Sequence, residues 1–409
     1  MALVRGAVPE RRPGRCAVST RILIVGGGYV AVWAHRAVHR RLRRRMRRGE
    51  VTTTIVAPGL SHRFHGFTGE VLGGVLPPQR VATALADLCP LADLVDGTVT
   101  SVDLAAGRAT VATADGDAVE LGFDHLVLAA GSSDSQFPAG IAEHGHSTKN
   151  PVGFEELRRR LAEPWEHMVV VGGGLAGAEL CAAIAERFTG DGRRIHLVHS
   201  GDTLVPELLP RYRGLARYVR RQLDGYGVQV HTGTAVLKVG ETGVELDDDT
   251  SLPADLVVST SGQRPVAIPG TEGLARHPDG RLRVDGYLKV AGQPRVWSGG
   301  DVAAVPHLVS GRPSPANALW AIKHGAHLGR NLARELRGRR PRRFAYLGLG
   351  RSASLGVGKG AAHLYGMPFT GWSAWLTRAA FFLIYMPSRR QAVAAAGELF
   401  AAVRSRGRH

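Results

Sequence analysis

Cysteine is scarce in this chain of 409 residues. Its three cysteines, Cys16, Cys89 and Cys181, are odd in number and far apart. Their spacing excludes a disulfide framework, a CxxC redox pair and a cysteine-based zinc site. Such sparing use of cysteine is typical of a reducing compartment, and we therefore expect a cytoplasmic location.

Long apolar runs are missing as well. No stretch reaches about 18 uninterrupted apolar residues, so no membrane-spanning helix is expected. The first twenty residues contain arginine and proline but no continuous apolar core, which argues against a cleavable secretion signal. Apolar residues nevertheless make up 44% of the chain, and 53 residues are glycine. These proportions predict a folded protein with many tight turns, and the length predicts two or three domains.

Lysine is rare, and the positive charge is concentrated in arginine. Five lysines stand among 52 basic residues, and the formal net charge is +17. Residues 36–48 contain eight arginines and no acidic residue, and residues 341–409 contain ten basic residues and one glutamate. Charge confined to two patches predicts a local anionic partner. We interpret the first patch as the solvated C-terminal end of a helix, and since it lacks interleaved aromatic residues we expect no nucleic-acid partner.

Two glycine-rich turns occur in the same local setting. Residues 21–25 and 167–171 are short β-branched runs typical of buried strands, and each leads into a glycine turn and a helical pattern. Alternating runs follow each unit and predict an antiparallel meander, closed by a buried strand that ends in glycine. Gly26 and Gly172, the first glycines of the turns, lie 146 residues apart. The pattern predicts an α/β fold with two Rossmann-like dinucleotide-binding domains, each carrying a meander.

The small residues of these turns have separate physical roles. The first glycine permits the sharp turn, the second lets a pyrophosphate approach the backbone, and the third position lets the helix pack on the strand. The amides at the helix start and the helix dipole then attract the phosphates. These positions are Gly26, Gly28 and Ala31 in the first turn and Gly172, Gly174 and Gly177 in the second.

With these motifs in order, residues 20–335 resemble flavoproteins with two dinucleotide-binding domains, the first for FAD and the second for NADH or NADPH. The resemblance implies that Asp301 hydrogen-bonds the ribityl or pyrophosphate part of FAD, although an aspartate that caps a helix has the same geometry. The absent cysteine pair excludes the disulfide reductases and argues against sulfide:quinone reductases.

The end of the chain is similar to type II NADH dehydrogenases, which are single-chain NADH:quinone reductases attached to a membrane face. The similar segments are residues 344–346, 356–358 and 371–375. This resemblance implies hydride transfer from NADH or NADPH to FAD, followed by two-electron transfer to a quinone-type acceptor without proton pumping. It also implies a chain organised as an N-terminal tail (1–19), an FAD-binding domain in two parts (20–145 and 278–340), an NAD(P)H-binding domain (146–277) and a C-terminal α-helical, amphipathic segment (341–409).

The same resemblance implies roles for individual residues. Glu179 matches a glutamate near the nicotinamide and is the candidate catalytic residue, the alternative being a first-turn glutamate favoured by the helix dipole. His144 and His146 lack a third ligand, so no metal site is expected. The predicted FAD-binding residues are Gly26, Gly27, Gly28, Tyr29, Val30, Ala130, Gly131, Gly300, Asp301 and Ala318. The predicted NAD(P)H-binding residues are Gly172, Gly174, Leu175, Ala176, Gly177, Glu179, His199 and Gly262, and the predicted acceptor pocket contains Leu319, Ile322 and Lys323.

Three positions depart from the pattern of these families. Ala57 stands where an acidic residue usually binds the adenosine ribose. His199 replaces a glutamate that would repel a 2′-phosphate, so NADH and NADPH both stay open. Residues 318–325 keep the alanines and glycine of a stretch beside the flavin and quinone but lack its glutamines. Two alternatives therefore stay open: a soluble NAD(P)H-dependent reductase with another acceptor, and a flavin-binding sensor with little turnover.

Residues 371–386 form an apolar, aromatic segment with Arg378 in its middle and Arg389 and Arg390 after it. An unpaired arginine at mid-bilayer is costly, so a spanning helix is disfavoured. We expect this segment to lie on an anionic membrane surface, with its arginines at the headgroups. Packing in a homodimer interface or on the FAD domain is the alternative.

Overall fold

The computed structural model describes residues 19–406. Residues 1–18, which hold Cys16 and nearly all of the predicted N-terminal tail, lie outside the described part, as do residues 407–409. Two sheets with parallel cores, helices packed against them and a C-terminal unit make up the described chain. The predicted α/β fold is confirmed.

The first sheet is parallel at its centre and antiparallel at one side. Thr20–Val25 pairs in parallel with its neighbours on both sides, and Ile22 to Val25 are buried. Asp93–Asp103 pairs in parallel through its first residues and antiparallel through its later ones, so the first meander continues the parallel sheet. The strand order is Val296–Ser298, His125–Leu128, Thr20–Val25, Val51–Ala57, Asp93–Asp103, Arg108–Thr113 and Ala118–Gly122.

The second sheet repeats the parallel arrangement, but its meander is separate. All of its paired strands are parallel, in the order Gly145–His146, Leu256–Ser259, His167–Val171, Arg194–His199 and Gln229–Thr232. The meander is an antiparallel sheet of Val236–Val239, Gly243–Leu246 and Ser251–Pro253. Ser132–Asp134 and Gln263–Pro265 pair antiparallel and join the two halves of the molecule. Two further short pairs are Ser61–Arg63 with Ala82–Ala84 and Leu282–Arg283 with Ala303–Ala304.

Each glycine turn leads into a helix that packs on its sheet. The first Rossmann helix, Tyr29–Arg47, buries Val38, Leu42 and Met46 at the spacing of four seen in the sequence. The second Rossmann helix is Leu175–Arg187. The other α-helices before residue 340 are Thr68–Leu72, Leu85–Leu88, Ile141–His144, Pro151–Arg160, Arg213–Gly225 and Ala318–Glu335.

The helix Ala318–Glu335, here the closing helix, lies against the first Rossmann helix at very short distance. A Cβ on Gly325 would lie 2.5 Å from the Val30 carbonyl oxygen, and one on Gly329 would lie 2.2 Å from that of Ala34. Glycine is therefore required at both crossings. The contact brings the arginine-rich ends of the two helices together, and the Arg45 guanidinium donates to the Leu336 carbonyl at 2.5 Å.

The C-terminal unit is a three-stranded antiparallel sheet followed by two helices. The strands are Gly350–Ser354, Gly360–Leu364 and Met367–Thr370, and the helices are Trp372–Tyr385, here the aromatic helix, and Arg389–Arg406. Among residues 19–406, no helix combines the length and the apolar character that crossing a membrane requires. The expectation that Arg378 lies at lipid headgroups is wrong, because this side chain is only 3% exposed and is ion-paired inside the protein.

Candidate dinucleotide and acceptor site

One cavity of about 1170 Å³ connects the first glycine turn with the start of the second Rossmann helix and with the C-terminal unit. Its wall includes the first turn at Gly28, the start of the second Rossmann helix at Leu175, and Phe381 and Phe382 of the aromatic helix. The cavity is thus bounded by both Rossmann units and by the segment that the sequence connects with an acceptor. It has room for groups from more than one ligand to meet.

The first turn takes the shape that a dinucleotide requires. Gly26 has φ +113°, and a Cβ at this position would lie 2.4 Å from the Ala129 carbonyl oxygen. A Cβ on Gly28 would meet no atom within 4 Å, so the backbone there faces open space at the helix start. These are the properties that let a pyrophosphate approach the amides of the turn.

All ten predicted FAD-binding residues lie in the cavity wall. Asp301 Oδ2 accepts a hydrogen bond from Ser132 Oγ at 2.9 Å, and Lys149 Nζ donates to the same hydroxyl at 3.0 Å. Burial lowers the pKa of Lys149, while the negative charge of Asp301 opposes this shift. Asp301 Oδ1 is buried and has no hydrogen-bond partner within the described residues. Asp301 is part of the cavity wall, and a carboxylate with an orphaned oxygen at this position fits a polar ligand such as the hydroxyl chain of FAD.

Tyr29 and Ala57 complete the wall near the first turn. The Tyr29 hydroxyl accepts a hydrogen bond from the His65 amide at 2.8 Å, and burial raises the pKa of the phenol. Ala57 has as its partner in the parallel ladder Asp96, whose carboxylate accepts from the Gly59 amide at 2.7 Å. One oxygen of this acid is thus bound to backbone, and Asp96 is not among the residues of the cavity wall.

The second turn has the same backbone shape, but other side chains lie closer to it. Gly172 has φ +114°, and a Cβ on Gly177 would lie 1.9 Å from the Gly172 carbonyl oxygen. Leu204 and His199 crowd the position of Gly173, with contacts of 2.6 and 2.7 Å to a Cβ placed there. Three of the eight predicted NAD(P)H-binding residues, Leu175, Ala176 and Glu179, lie in the cavity wall. The other five are not part of this wall: Gly172, Gly174, Gly177, His199 and Gly262.

Glu179 belongs to a buried cluster that the sequence did not predict. The Arg378 guanidinium reaches the Glu70 carboxylate at 2.6 Å and that of Glu179 at 2.5 Å. The Ser354 amide also donates to Glu179, at 2.7 Å. Burial raises the pKa of Glu179, and the nearby Glu70 raises it further, while Arg378 acts in the opposite direction. One guanidinium thus forms ion pairs with two carboxylates, and one of them, Glu179, also lies in the cavity wall.

The acceptor end of the cavity is built mainly from aromatic residues. Of the three residues predicted there, Leu319 lies in the cavity wall, Ile322 is buried in the closing helix, and the Lys323 ammonium donates to the Tyr385 hydroxyl at 2.8 Å. Trp320 also lines the cavity and packs edge-on against Tyr346 at 4.8 Å between ring centroids.

Sequence reasoning missed Glu70, Ser132, Lys149 and Glu207, of which only Ser132 adjoins a predicted residue in the chain. Ser132 follows directly after the predicted Gly131, and this adjacency was the one available signal. Glu70 and Glu207 lie in loop or short helical segments that carry no recognisable motif. Their proximity to the predicted residues depends on tertiary packing.

Known proteins resemble the chain over most of its length. An NADH dehydrogenase-like protein of Mycobacterium tuberculosis is 29% identical over 344 aligned positions, covering 76% of this chain and 78% of the relative. The type II NADH:quinone oxidoreductase Ndh of the same organism is 24% identical, covering 90% and 84%. NDH2 from Plasmodium falciparum in complex with NADH has the same fold, with a TM-score of 0.82, 13% identity and coverage of 93% and 98%.

These comparisons confirm the predicted resemblance. The cysteines that the structure describes, Cys89 and Cys181, are buried and unbonded, so the described part holds no disulfide. Residues 20–325 match the pyridine nucleotide-disulphide oxidoreductases, and the chain belongs to this family of oxidoreductases.

Proposed function

We propose that this protein is an FAD-dependent NAD(P)H dehydrogenase that passes a hydride to the flavin and then two electrons to a quinone-type acceptor, without proton pumping. The observation that carries the proposal is one cavity that reaches from the first glycine turn to the start of the second Rossmann helix and to the aromatic helix. A dinucleotide on each turn would bring its reactive ring toward the shared space. The relatives named as NADH dehydrogenase-like and NADH:quinone oxidoreductase support the same chemistry.

The first turn and the strand ends beside it would hold FAD. The amides from Gly27 to Tyr29 would bind the pyrophosphate, and the Asp301 carboxylate in the cavity wall would accept hydrogen bonds from the ribityl hydroxyls. Bound FAD supplies the hydride-accepting and electron-donating chemistry. The Ser132 hydroxyl, which accepts from Lys149, donates to Oδ2 of Asp301 and would orient this carboxylate for the cofactor.

The second turn would bind NADH or NADPH, with Leu175 and Ala176 at the phosphates and Glu179 at the cavity wall. His199 ends the strand Arg194–His199, where a carboxylate would repel a 2′-phosphate. We therefore expect both nucleotides to be used. Glu179 would bound the nicotinamide end of the site, where its carboxylate is held by Arg378 and the Ser354 amide.

The acceptor would enter beside Leu319, Phe381 and Phe382, where the wall is apolar and aromatic and suits a quinone ring. Trp320 occupies a position within the stretch that lacks glutamines, so polar recognition of quinone carbonyls there is reduced. This observation favours a second candidate, a reductase of the same chemistry with a different small acceptor. Water-soluble quinones and artificial acceptors distinguish the two candidates.

The aromatic helix would attach the protein to an anionic membrane surface on the cytoplasmic side. Trp372, Leu376 and Ile384 are 55%, 59% and 62% exposed and follow one another on one face of this helix. Arg389 and Arg390 are exposed just beyond its end. An apolar row with basic residues at its end fits the headgroup region of an anionic bilayer. The alternative is that this apolar row packs against the same row of a second copy of the chain.

Anaerobic mixing tests the proposed function directly. Purified protein should be yellow, and NADH or NADPH should bleach the flavin absorbance without added acceptor. Addition of a short-chain ubiquinone should restore the oxidised spectrum, because reduced flavin then passes two electrons onward. Protein that binds no FAD, or whose bound FAD stays oxidised with both nucleotides, would contradict the proposal. Reduction by nucleotide without reoxidation by quinone would point to the second candidate.

A further inference from the structure

The two glycine turns differ in what stands in front of them. A Cβ on Gly28 would meet no atom within 4 Å, whereas one on the equivalent Gly174 would lie 2.7 Å from Oε1 of Glu207. The same oxygen accepts a hydrogen bond at 3.2 Å from the amide of Leu175, the first residue of the second Rossmann helix. At the second turn, Glu207 thus occupies space that is open at the first.

A docked loop, rather than a freely swinging side chain, brings Glu207 to this position. The Val205 amide donates to the Gly173 carbonyl at 2.8 Å, which ties the loop to the glycine turn. Val205 has φ +47°, a conformation that β-branched residues rarely adopt. It is followed by the short 3₁₀ turn Pro206–Leu208. The loop is therefore held in an unfavourable backbone conformation while its carboxylate caps the helix.

A carboxylate and a pyrophosphate compete for the same physical features. Both are anions, and both are attracted by free amides and by the positive end of the helix dipole. When a dinucleotide binds the second turn, Glu207 has to leave the Leu175 amide, and its charge then stands near the incoming phosphates. FAD at the first turn meets no such competitor among residues 19–406, where no atom lies within 4 Å of a Cβ on Gly28.

We propose that Glu207 is a displaceable internal anion that weakens the binding of NAD(P)H at the second turn and favours its release. This inference rests on the proposed function, because it takes the second turn as the NAD(P)H site. It accounts for one asymmetry between two otherwise equivalent turns. A cofactor that stays bound gains from an open turn, whereas a substrate that must leave after each turnover gains from a competing group.

Calorimetric titration with NAD⁺ tests the inference without turnover, because oxidised nucleotide cannot reduce the flavin. The FAD-loaded full chain is compared as wild type, Glu207→Gln and Glu207→Ala. We expect Kd for NAD⁺ to fall roughly three- to tenfold in both variants, since an exposed charge near the phosphates is lost. The gain should shrink in 0.5 M NaCl, where salt screens the charge that the variants remove.

The matched control is Glu241→Gln, which removes the same charge from an exposed turn of the second meander. It should leave Kd unchanged. Unchanged FAD absorbance and melting temperature in all variants show that the fold is intact, and KM for NADH should fall along with Kd. Equal or weaker NAD⁺ binding in both Glu207 variants would overturn the inference while leaving the proposed function in place. Failure of every protein to bind either NAD⁺ or NADP⁺ would overturn both.

Discussion

Arg378 of the aromatic helix forms a 2.5 Å ion pair with Glu179 of the second Rossmann helix. A second nitrogen of the same guanidinium holds Glu70 at 2.6 Å, and the Gly66 carbonyl also accepts from Arg378, at 2.8 Å. The C-terminal unit is thereby connected to both dinucleotide-binding parts through one buried cation. One of the two carboxylates bound by this cation, Glu179, is part of the cavity wall.

Replacing Arg378 with methionine should destabilise the protein by about 3–5 kcal/mol, because Glu70 and Glu179 then stay buried without a counter-charge. Urea unfolding followed by far-UV circular dichroism measures the change. The matched control is Arg389→Met, which removes an exposed arginine 11 positions further along the chain. Equal stability of the Arg378 variant and the control would show that the cluster contributes nothing to the fold.

Stability should also depend on pH through Glu179. Burial, as the largest cause, raises the pKa of its carboxyl group to about 7 from an ordinary value of 4.5. Between pH 4.5 and about pH 7 the folded protein keeps a proton on Glu179 that the unfolded chain has lost. The contribution of Glu179 to stability therefore falls as pH rises through this range and is constant above it.

Glu179→Gln removes this dependence. Relative to wild type, the variant should therefore gain stability steadily from pH 5 to pH 7 and no further above pH 7. Unfolding free energies at intervals of half a pH unit measure the slope. If the stability of the variant instead falls relative to wild type as pH rises, the charge of Arg378 outweighs burial and keeps Glu179 ionised in the folded state.

The sequence predicted the parts of the fold that local patterns determine. Strand, glycine turn and helix at Gly26 and Gly172 follow from neighbouring residues, and both turns have the expected backbone conformation. The Arg378 cluster could not be predicted, because its carboxylates come from segments far away in the chain. An arginine within an aromatic run predicts an exposed side chain, and only the tertiary structure shows its buried partners. Glu207 was missed for the same reason, since its contact with Leu175 depends on how a loop folds back.

Gly177→Ala should damage the second turn selectively. The added methyl group would lie 1.9 Å from the Gly172 carbonyl oxygen, so the turn has to open. The overlap should cost about 1–3 kcal/mol of stability and abolish flavin reduction by NADH while FAD stays bound. Stopped-flow absorbance at the flavin band measures the reduction rate. Gly214→Ala is the control, since a Cβ there meets no atom within 4 Å. Normal reduction in Gly177→Ala would show that the second turn does not hold the nucleotide.

Asp301→Ala should weaken FAD binding. The variant removes a carboxylate of the cavity wall whose Oδ1 has no hydrogen-bond partner among the described residues and whose Oδ2 accepts from Ser132. Loss of a hydrogen bond to a charged group corresponds to about 1.5–3 kcal/mol of binding free energy. Flavin absorbance per protein after gel filtration gives the retained fraction. The control Glu120→Gln removes an exposed carboxylate from the first meander and should retain FAD as wild type does. Full retention in Asp301→Ala would assign the aspartate a purely structural role.

Leu376→Asp should release the protein from an anionic membrane. Leu376 is exposed in the middle of the apolar row, so a carboxylate there opposes insertion and is repelled by the headgroups. Co-sedimentation with vesicles of phosphatidylglycerol and phosphatidylcholine should fall at least about tenfold. The matched control is Leu237→Asp, the same change at an exposed leucine of the second meander, which should leave vesicle binding unchanged.

Analytical ultracentrifugation separates the two possible occupants of this face. If wild type sediments as a dimer and Leu376→Asp as a monomer, while neither binds vesicles, the row is an interface between copies of this chain. A wild-type monomer that binds anionic vesicles but not pure phosphatidylcholine supports the membrane proposal, because the exposed arginines after the aromatic helix then contribute through charge. The two results exclude each other, since a row covered by a second copy has no apolar surface left for lipid.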